Sequence, residues 1–375
     1  FFTDDQKLMQ DVAREFAQKE VAPRALEIDQ GDEMPMDLLK RAAELNLISI
    51  AIPEEYGGVG ADLVTACLVV EEIAKESPAV AILIDLQAAA IATALLQFGT
   101  EEQKQKYVTG IAKGDMWIAF GLTEPNAGSD AGNTQTTAEL DGDEWVINGQ
   151  KCFITGITGS TGYIITAKTN VDGKQGISAF IVEKGDPGFS VGKVENKTGW
   201  GGSATGDLFF KDCRIPKDRQ VGVLNKGFNV FMRTLDEARV GIAALALGNA
   251  EGAYERALAY SKERVAFGQP ICKFQAIAFY LAEMATDIEV GRAMLYNTAA
   301  LADSGAPFSK EAAMCKLWLG EMAQRVTDRA IQIHGGNGYI RDVGVERFWR
   351  DARVLTIGEG TSEIQKTIIS RAILS

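Results

Sequence analysis

The chain has 375 residues, long enough for two or three structural units, and 46% of them are hydrophobic. Its 38 basic and 51 acidic side chains give a formal net charge of −13, which argues against nucleic acid or an anionic membrane surface as a partner. One histidine and five scattered cysteines without a CxxC pair argue against a metal site and against Ser–His or Cys–His catalysis. This cysteine usage indicates reduced thiols in a cytosol-like compartment.

Residues 1–117 have the periodicity of a helical domain. Leu8, Val12, Phe16 and Val21 recur at helical spacing in the first segment, and a second helical pattern follows a proline. We therefore predict an all-α domain whose first helix presents these four side chains on an apolar face.

The segment Ala79–Phe98 is long enough and apolar enough to cross a membrane. It contains Asp85, Gln87 and Thr93 and has no basic flank, so we predict a buried helix and no membrane span. Asp85 is its only charge, and burial of an ionised carboxylate without a partner costs several kcal/mol. Asp85 must therefore be paired, protonated or functional, and a structural pairing is the simplest of these interpretations.

Residues 118–225 change to a period of two with Asp-Gly and Asn-Gly turns, which predicts a small β-barrel or sandwich without βαβ units. The run GITGSTG at 156–162 favours a hairpin loop over a phosphate cradle, and DGDE at 141–144 favours a tight turn over a calcium loop. The sequence contains neither a GxxxxGK[ST] loop nor a GxGxxG turn between a strand and a helix, so a nicotinamide site is improbable.

Residues 226–375 return to helical periodicity in three long segments, which would pack as an antiparallel bundle. His334 ends the third segment, where its simplest role is a helix-terminal cation or cap. The predicted fold class is thus α+β multidomain, with an all-α domain, a β domain and a helical bundle in chain order.

Three segments together resemble the acyl-CoA dehydrogenase family over essentially the whole chain. They are FGLTEPNAGSD at 120–130 with NGQKCFITG at 148–156, the segment Arg264–Met284, and the segment Gln332–Gln365. The resemblance implies an N-terminal helical domain, a middle β domain and a C-terminal four-helix bundle. It also implies FAD, an acyl-CoA substrate, an electron-transferring flavoprotein as partner and a homotetramer built as a dimer of dimers. The compartment would be the bacterial cytoplasm, or the mitochondrial matrix in a eukaryote.

The resemblance assigns cofactor contacts residue by residue. Flavin or pantetheine contacts in the first segment would be Phe120, Leu122, Thr123, Gly128 and Ser129. Phe153 would cover the isoalloxazine face and Thr155 would hydrogen-bond near the reactive nitrogen. Contacts to the flavin of a neighbouring subunit would come from Arg264, Phe267 and Gln275. Contacts to the adenosine diphosphate part would come from Gln332, Gly335 and Gly336, and contacts to the far end of the cofactor from Thr361 and Glu363.

Substrate contacts are implied in the same way. Asp236 and Arg239 resemble residues that line the CoA channel, and the remaining substrate-binding positions are Ser129, Gly358 and Gly360. The sequence departs from the family pattern at Gly201, where relatives often place arginine.

Dehydrogenation of adjacent carbons needs a base for the α-proton and an acceptor for the β-hydride, which in this family is flavin N5. Glu359 in IGEGT matches the base of the straight-chain branch, although a solvated loop glutamate would be the simpler interpretation of the spacing alone. The alternative position for the base, in LDEAR, is occupied by Ala238, which disfavours that branch. Glu237 should point about 100° around the helix, as a solvated or salt-bridged surface residue.

Gly358 replaces the bulky aromatic residue that straight-chain relatives place before the base, which would widen the pocket. Asp85 resembles an aspartate that acts as a base in a small subgroup specific for alicyclic CoA thioesters. A cyclohexane- or cyclohexene-carboxyl thioester is therefore a candidate substrate, with Asp85 as a second pocket carboxylate. Since Glu359 is present, 1,2-dehydrogenation is favoured over 1,4-elimination.

Three alternatives remain open. The enzyme could act on a short linear or branched acyl-CoA with Asp85 purely structural. It could be an acyl-CoA oxidase, although oxidases of this superfamily are usually much longer. It could also be a non-catalytic acyl-CoA-binding or assembly protein with the same fold.

Overall fold

The computed structural model describes residues 2–374, and its first part is helical. Its helices are α1 (Asp4–Phe16), α2 (Ala25–Gln30), α3 (Met36–Glu44), α4 (Leu63–Ala74), α5 (Pro78–Asp85), α6 (Ala92–Phe98), α7 (Glu101–Gln103) and α8 (Thr109–Ala112). The α1 helix begins at a capping box in which the Thr3 hydroxyl accepts a hydrogen bond from the backbone of Gln6. Phe16 and Val21 are buried as predicted, but the prediction for Leu8 is wrong, because its side chain is 61% exposed.

The apolar segment is one continuous helix, because a π-helical stretch (Leu86–Ile91) connects α5 and α6. Ser77 caps its start and Pro78 occupies the first position, where the missing N–H of proline costs no hydrogen bond. Among residues 2–374 it is the one helix long and apolar enough to cross a membrane, yet 83% of its most apolar window lies inside the protein. The predicted burial of this helix is confirmed.

The middle part is one eight-stranded sheet in the order β6-β7-β3-β2-β4-β5-β8, with β1 beside β4. The strands are β1 (Ile118–Gly121), β2 (Thr137–Asp141), β3 (Glu144–Thr155), β4 (Gly162–Val171), β5 (Lys174–Glu183), β6 (Phe189–Val194), β7 (Thr205–Pro216) and β8 (Gln220–Val221). The β2–β3 connection is the expected tight turn, with Gly142 at φ 63°. The run at 156–162 is not a hairpin loop as predicted, because β2 lies between the two strands that it joins.

The last part is a bundle of α9 (Gly227–Glu263), α10 (Gln275–Asp303), α11 (Ser309–His334) and α13 (Ser362–Leu374), with the short α12 (Glu346–Ala352). A small hairpin of β9 (Val265–Ala266) and β10 (Gln269–Pro270) connects α9 to α10. Every residue of α9 from Ala238 to Ala250 is buried, because this helix packs against α4, α5, α10 and α11. The α9 helix therefore links the N-terminal helices to the bundle, and it carries LDEAR into the interior.

The sequence analysis gave His334 the role of a cation or a cap at the end of α11, and the structure supports only a contact with a helix carbonyl group. Its ring is buried, stacks on Tyr260 at a centroid distance of 4.4 Å and contacts the Ala330 carbonyl through Nδ1 at 2.7 Å. Burial lowers the pKa of His334 below its usual value, so the ring is neutral at pH 7.

Candidate active site

Glu359 lies in a tight turn between a 3₁₀ segment (Arg353–Thr356) and the start of α13. The turn contains two successive left-handed residues, Glu359 at φ 51° and Gly360 at φ 95°. The buried Gln365 amide donates to the carbonyl oxygens of both residues, at 3.3 and 3.0 Å. This backbone directs the glutamate side chain inward.

The Glu359 carboxylate is in a poorly solvated environment. Its Oε2 atom is buried and has no hydrogen-bond partner among the described residues. Burial raises the pKa of Glu359 to about 7, although Lys316 and Arg239 act in the opposite direction. A carboxyl group with this pKa is divided between its two protonation states near neutral pH, which is what a general base requires.

Asp85 is the last residue of α5, and its side chain is 2% exposed. Within residues 2–374 it has neither a hydrogen bond nor an ion pair, so a structural pairing does not explain its burial. Burial, and then the charge of Glu359, raise the pKa of Asp85 well above its usual range. The two carboxyl groups therefore belong to one electrostatic site, in which burial and the charge of Glu359 both favour the neutral form of Asp85.

Space for the Asp85 carboxyl group comes from Gly241 on α9. A Cβ atom at Gly241 would lie 2.2 Å from Asp85 Oδ1, so any side chain there would displace the carboxyl group. The sequence analysis missed Gly241, because one small residue within a buried helix carries no signal without knowledge of its neighbour.

The LDEAR segment lies in the same part of α9. Arg239 is buried and paired with Asp236, which also accepts a hydrogen bond from Ser309 Oγ at 3.0 Å. Glu237 is partly buried and accepts a hydrogen bond from Thr93 Oγ1 at 3.0 Å. The interpretation of Glu237 as a solvated or salt-bridged surface residue is therefore wrong.

Gly358 leaves open space before the base. A Cβ atom at Gly358 would meet only Val354, at an ordinary contact distance of 3.7 Å. By contrast, a Cβ atom at Gly201 would lie 1.9 Å from the Asp29 carbonyl oxygen, so this backbone admits no arginine at position 201.

The predicted flavin segment is tied to the sheet by a buried ion pair that the sequence analysis missed. Lys151 Nζ lies 2.7 Å from Glu124 Oε1, and both side chains are buried. The same ammonium donates to the Leu122 carbonyl at 3.2 Å and to the hydroxyls of Thr134 and Thr166 at 3.1 and 3.0 Å. These contacts hold the loop that follows β1 against β3 and β4.

Phe153 sits in an irregular stretch of β3 and points outward. Its φ is 59°, the register with β7 shifts between Lys151 and Ile154, and the side chain is 71% exposed. Thr155 ends the strand and is partly buried. An exposed aromatic ring on a rigid strand is suited to covering a flat heteroaromatic group.

The other sites predicted from the resemblance are distributed as follows. Phe120, Leu122 and Thr123 are partly buried, and Gly128 and Ser129 are exposed. Arg264, Gln275 and Gln332 are exposed on the bundle, and Phe267 at the tip of the β9–β10 hairpin is 94% exposed. The Thr361 hydroxyl accepts a hydrogen bond from the backbone of Ile364 at 3.3 Å, and Glu363 is exposed in the first turn of α13.

A cavity of about 330 Å³ lies at the end of α11. It is lined by Tyr260, Arg264, Ile271, Ile333, His334, Gly335, Gly336 and Asn337. Three of the residues expected to contact the cofactor, Arg264, Gly335 and Gly336, thus line one cavity. No residue of the Glu359 turn lines this cavity, whose size suits one part of a large ligand.

A helical domain, a β domain and a helical bundle around buried carboxyl groups form the architecture of three-domain flavoprotein dehydrogenases. Residues 3–115, 119–213 and 225–374 match the families described as acyl-CoA dehydrogenase, N-terminal domain, middle domain and C-terminal domain. The chain belongs to the acyl-CoA dehydrogenase family. It is an oxidoreductase with FAD as cofactor, as the family resemblance predicted.

Close relatives match this chain over nearly its full length. It is 48% identical to the probable acyl-CoA dehydrogenase YngJ of Bacillus subtilis, over 99% of this chain and 98% of the relative. It is 42% identical to the caffeyl-CoA reductase-Etf complex subunit CarC of Acetobacterium woodii, over 100% and 99% of the two chains. The structure of butyryl-CoA dehydrogenase from Megasphaera elsdenii is 41% identical with a TM-score of 0.97, over 100% and 99% of the two chains.

Proposed function

We propose that the enzyme removes the α-proton of an acyl-CoA thioester with Glu359. The observation that carries this proposal is the buried, unbonded Glu359 Oε2, on a carboxyl group whose pKa is raised to about 7 by burial. When bound, FAD supplies the acceptor for the β-hydride. Glu359 then holds the proton in a poorly solvated environment, where a neutral carboxyl group is stable.

The residues that would hold the cofactor and the substrate lie on three elements. Phe153 and Thr155 on β3 would face the flavin ring, and the loop after β1 would contact its edge. Asp236 and Arg239 on α9 would line the channel for the CoA part. These elements are held in place, because Lys151 fixes the loop and α9 is buried from Ala238 to Ala250. A rigid site keeps the base aligned with the thioester.

We further propose an alicyclic acyl group as the substrate. Protonated Asp85 would face it from α5 and Glu359 would face it from the bundle, while the open space at Gly358 would admit a ring. A neutral carboxyl group can lie against an apolar ring at lower cost than a charged one. Because Glu359 serves as the base, the reaction would be a 1,2-dehydrogenation.

The test compares cyclohexane-carboxyl-CoA with butyryl-CoA by flavin bleaching under anaerobic conditions. We expect faster bleaching with the cyclic thioester, and we expect Asp85→Asn to slow that reaction by at least about tenfold more than the reaction with butyryl-CoA, because the more polar amide group is costlier to place against an apolar ring than a neutral carboxyl group. Asp5→Asn is the control, since it makes the same substitution at an exposed carboxyl group in the first turn of α1, and both rates should stay within about twofold.

A short linear acyl-CoA is the second candidate, favoured by the similarity to a butyryl-CoA dehydrogenase. Faster bleaching with butyryl-CoA and no effect of Asp85→Asn would establish it. A colourless purified protein without flavin absorbance would instead indicate a non-catalytic binding protein. Oxygen consumption without an added acceptor would indicate an oxidase.

We also propose an electron-transferring flavoprotein as the acceptor, a cytoplasmic location and a homotetrameric assembly. The acceptor is supported by the relative that is a subunit of a reductase-Etf complex. The assembly is supported by large apolar side chains exposed on the bundle, among them Phe267, Phe279 and Tyr339.

A further inference from the structure

Lys316 is a buried lysine in α11, and its side chain lies behind the Glu359 turn. The residue is 1% exposed, and Nζ donates to the Gly360 carbonyl oxygen at 2.6 Å. Within residues 2–374 no carboxylate forms an ion pair with it. Burial of an ammonium group without a counter-ion is unfavourable. The contact with Gly360 must therefore serve the structure or the chemistry of the turn.

The acceptor of this hydrogen bond is the carbonyl group directly after the base. Glu359 is held in a left-handed conformation, which is unfavourable for a residue other than glycine. Gln365 donates to the same Gly360 carbonyl at 3.0 Å. Two donors, one from α11 and one from α13, therefore fix the point from which the Glu359 side chain leaves the backbone.

The charges around this turn come from four helices. Glu359 faces Lys316 on α11, Arg239 on α9 and Asp85 on α5, and Lys316 also faces Glu363 on α13. Arg239 is already in an ion pair, whereas Lys316 has no such partner among the described residues. Burial lowers the pKa of Lys316 to about 8, and the charge of Glu359 opposes this effect, so Lys316 remains mostly protonated at pH 7.

We propose that Lys316 is a positioning residue for the base, holding the turn through the Gly360 carbonyl and placing a positive charge beside the Glu359 carboxylate. This inference rests on the proposed role of Glu359. The buried ammonium group would then have a geometric function, which is to hold the turn, and an electrostatic function, which is to stabilise the Glu359 carboxylate. Different substitutions can separate the two functions.

Three variants of the holoenzyme test the two functions. Lys316→Gln removes the charge and keeps an N–H donor on a side chain one bond shorter. Lys316→Met removes both the charge and the donor, and Lys316→Arg keeps both. The measurement is the pH dependence of anaerobic flavin reduction, with butyryl-CoA and cyclohexane-carboxyl-CoA as probes. Lys310→Met is the control, because Lys310 begins the same helix and its ammonium group pairs with Glu311 at the surface.

In wild type the rate should rise with pH through about 7, as Glu359 ionises. In Lys316→Gln this rise should move upward by about 1 on the pH scale, since a lost positive charge favours the protonated acid, and the rate at pH 7 should fall about fivefold. Lys316→Met should show the same movement and also a lower rate at high pH. Lys316→Arg and Lys310→Met should keep the wild-type profile.

An unchanged pH profile in both Lys316→Gln and Lys316→Met would overturn the proposal. If neither thioester reduces the wild-type flavin, the proposed substrates fail instead, and the crystal structure of the Lys316→Met holoenzyme then tests the positioning function directly. The proposal expects Glu359 and Gly360 to leave their left-handed conformations or the carboxylate to move. An unchanged turn would refute the geometric function.

Discussion

Glu359 combines a strained backbone with a carboxyl group whose pKa lies near 7. The left-handed turn accounts for both the strain and the burial, because this backbone conformation directs the Glu359 side chain into the interior. In solution the same side chain would be ionised at pH 5 and would be a weak base. Removal from water is therefore what makes this residue suitable for abstracting a weakly acidic α-proton.

Replacement of Glu359 by glutamine should leave the shape of the site unchanged and remove the proposed base. We expect flavin reduction to fall by at least about 10²-fold and the rise through pH 7 to disappear, because no group in the turn then ionises there. Stopped-flow absorbance with an acyl-CoA substrate measures the rate, and spectral perturbation of the flavin at equilibrium should show that the substrate still binds. Unchanged kinetics would place the base elsewhere, with Asp85 the first residue to examine.

At the scale of the elements, the Lys151–Glu124 pair determines how the loop after β1 sits on the sheet. The ammonium group has four acceptors, one of them the carboxylate. Burial tends to raise the pKa of Glu124, but hydrogen bonds from Lys151 and Thr134 outweigh it and lower the pKa to about 2. Glu124 is thus ionised at all physiological pH values, whereas burial lowers the pKa of Lys151 and the Glu124 carboxylate opposes that effect.

The variant Lys151→Met should leave the Glu124 charge buried without its counter-ion. We expect the free energy of unfolding to fall by about 3–5 kcal/mol, the usual cost of breaking a buried ion pair. Denaturant titration of the holoenzyme measures this free energy. The control Lys168→Met, at an exposed lysine of β4, should change the free energy of unfolding by less than about 0.5 kcal/mol. The double variant Lys151→Met, Glu124→Gln should recover part of the loss. A loss below about 1 kcal/mol would show that the pair is not important for stability.

At the scale of the whole molecule, the β9–β10 hairpin and the apolar side chain at its tip are exposed to solvent in a single chain. Phe267 contacts Phe274 at a ring distance of 6.0 Å but is otherwise open to solvent. Arg264 stands at the start of the hairpin and lines the cavity that contains Gly335 and Gly336. Cofactor binding and subunit assembly therefore meet at the same end of the bundle in our proposal.

Reversal of the charge at Arg264 should disturb both properties together. We expect Arg264→Glu to lose FAD and to dissociate the proposed tetramer, because a carboxylate would repel the diphosphate and any acidic partner surface. The flavin-to-protein absorbance ratio and sedimentation velocity measure the two effects. Lys217→Glu, an exposed reversal on the β domain, should change neither. A stable monomer with full FAD content would contradict the expected assembly.

Features that depend on residues close together in the chain could be predicted from the sequence. Helical and strand periods placed the helices and the strands in the correct order, and the length and polarity of Ala79–Phe98 predicted a buried helix. The predictions of a buried Leu8, a cationic His334 and a surface Glu237 are wrong, because position on a helix does not show which other segments cover a side chain. The loop at 156–162 was mistaken for a hairpin because spacing does not show that β2 lies between its strands.

The amino-acid sequence by itself determined the three-part architecture, the family and the candidate base, because each depends on local patterns or on motifs. Only the tertiary structure decided that Gly241 makes room for Asp85, that Asp85 has no partner among the described residues and that Lys316 holds the Glu359 turn. These contacts join helices far apart in the chain, and their energies depend on burial. Burial is a property of the packed molecule, so no spacing in the sequence could reveal it.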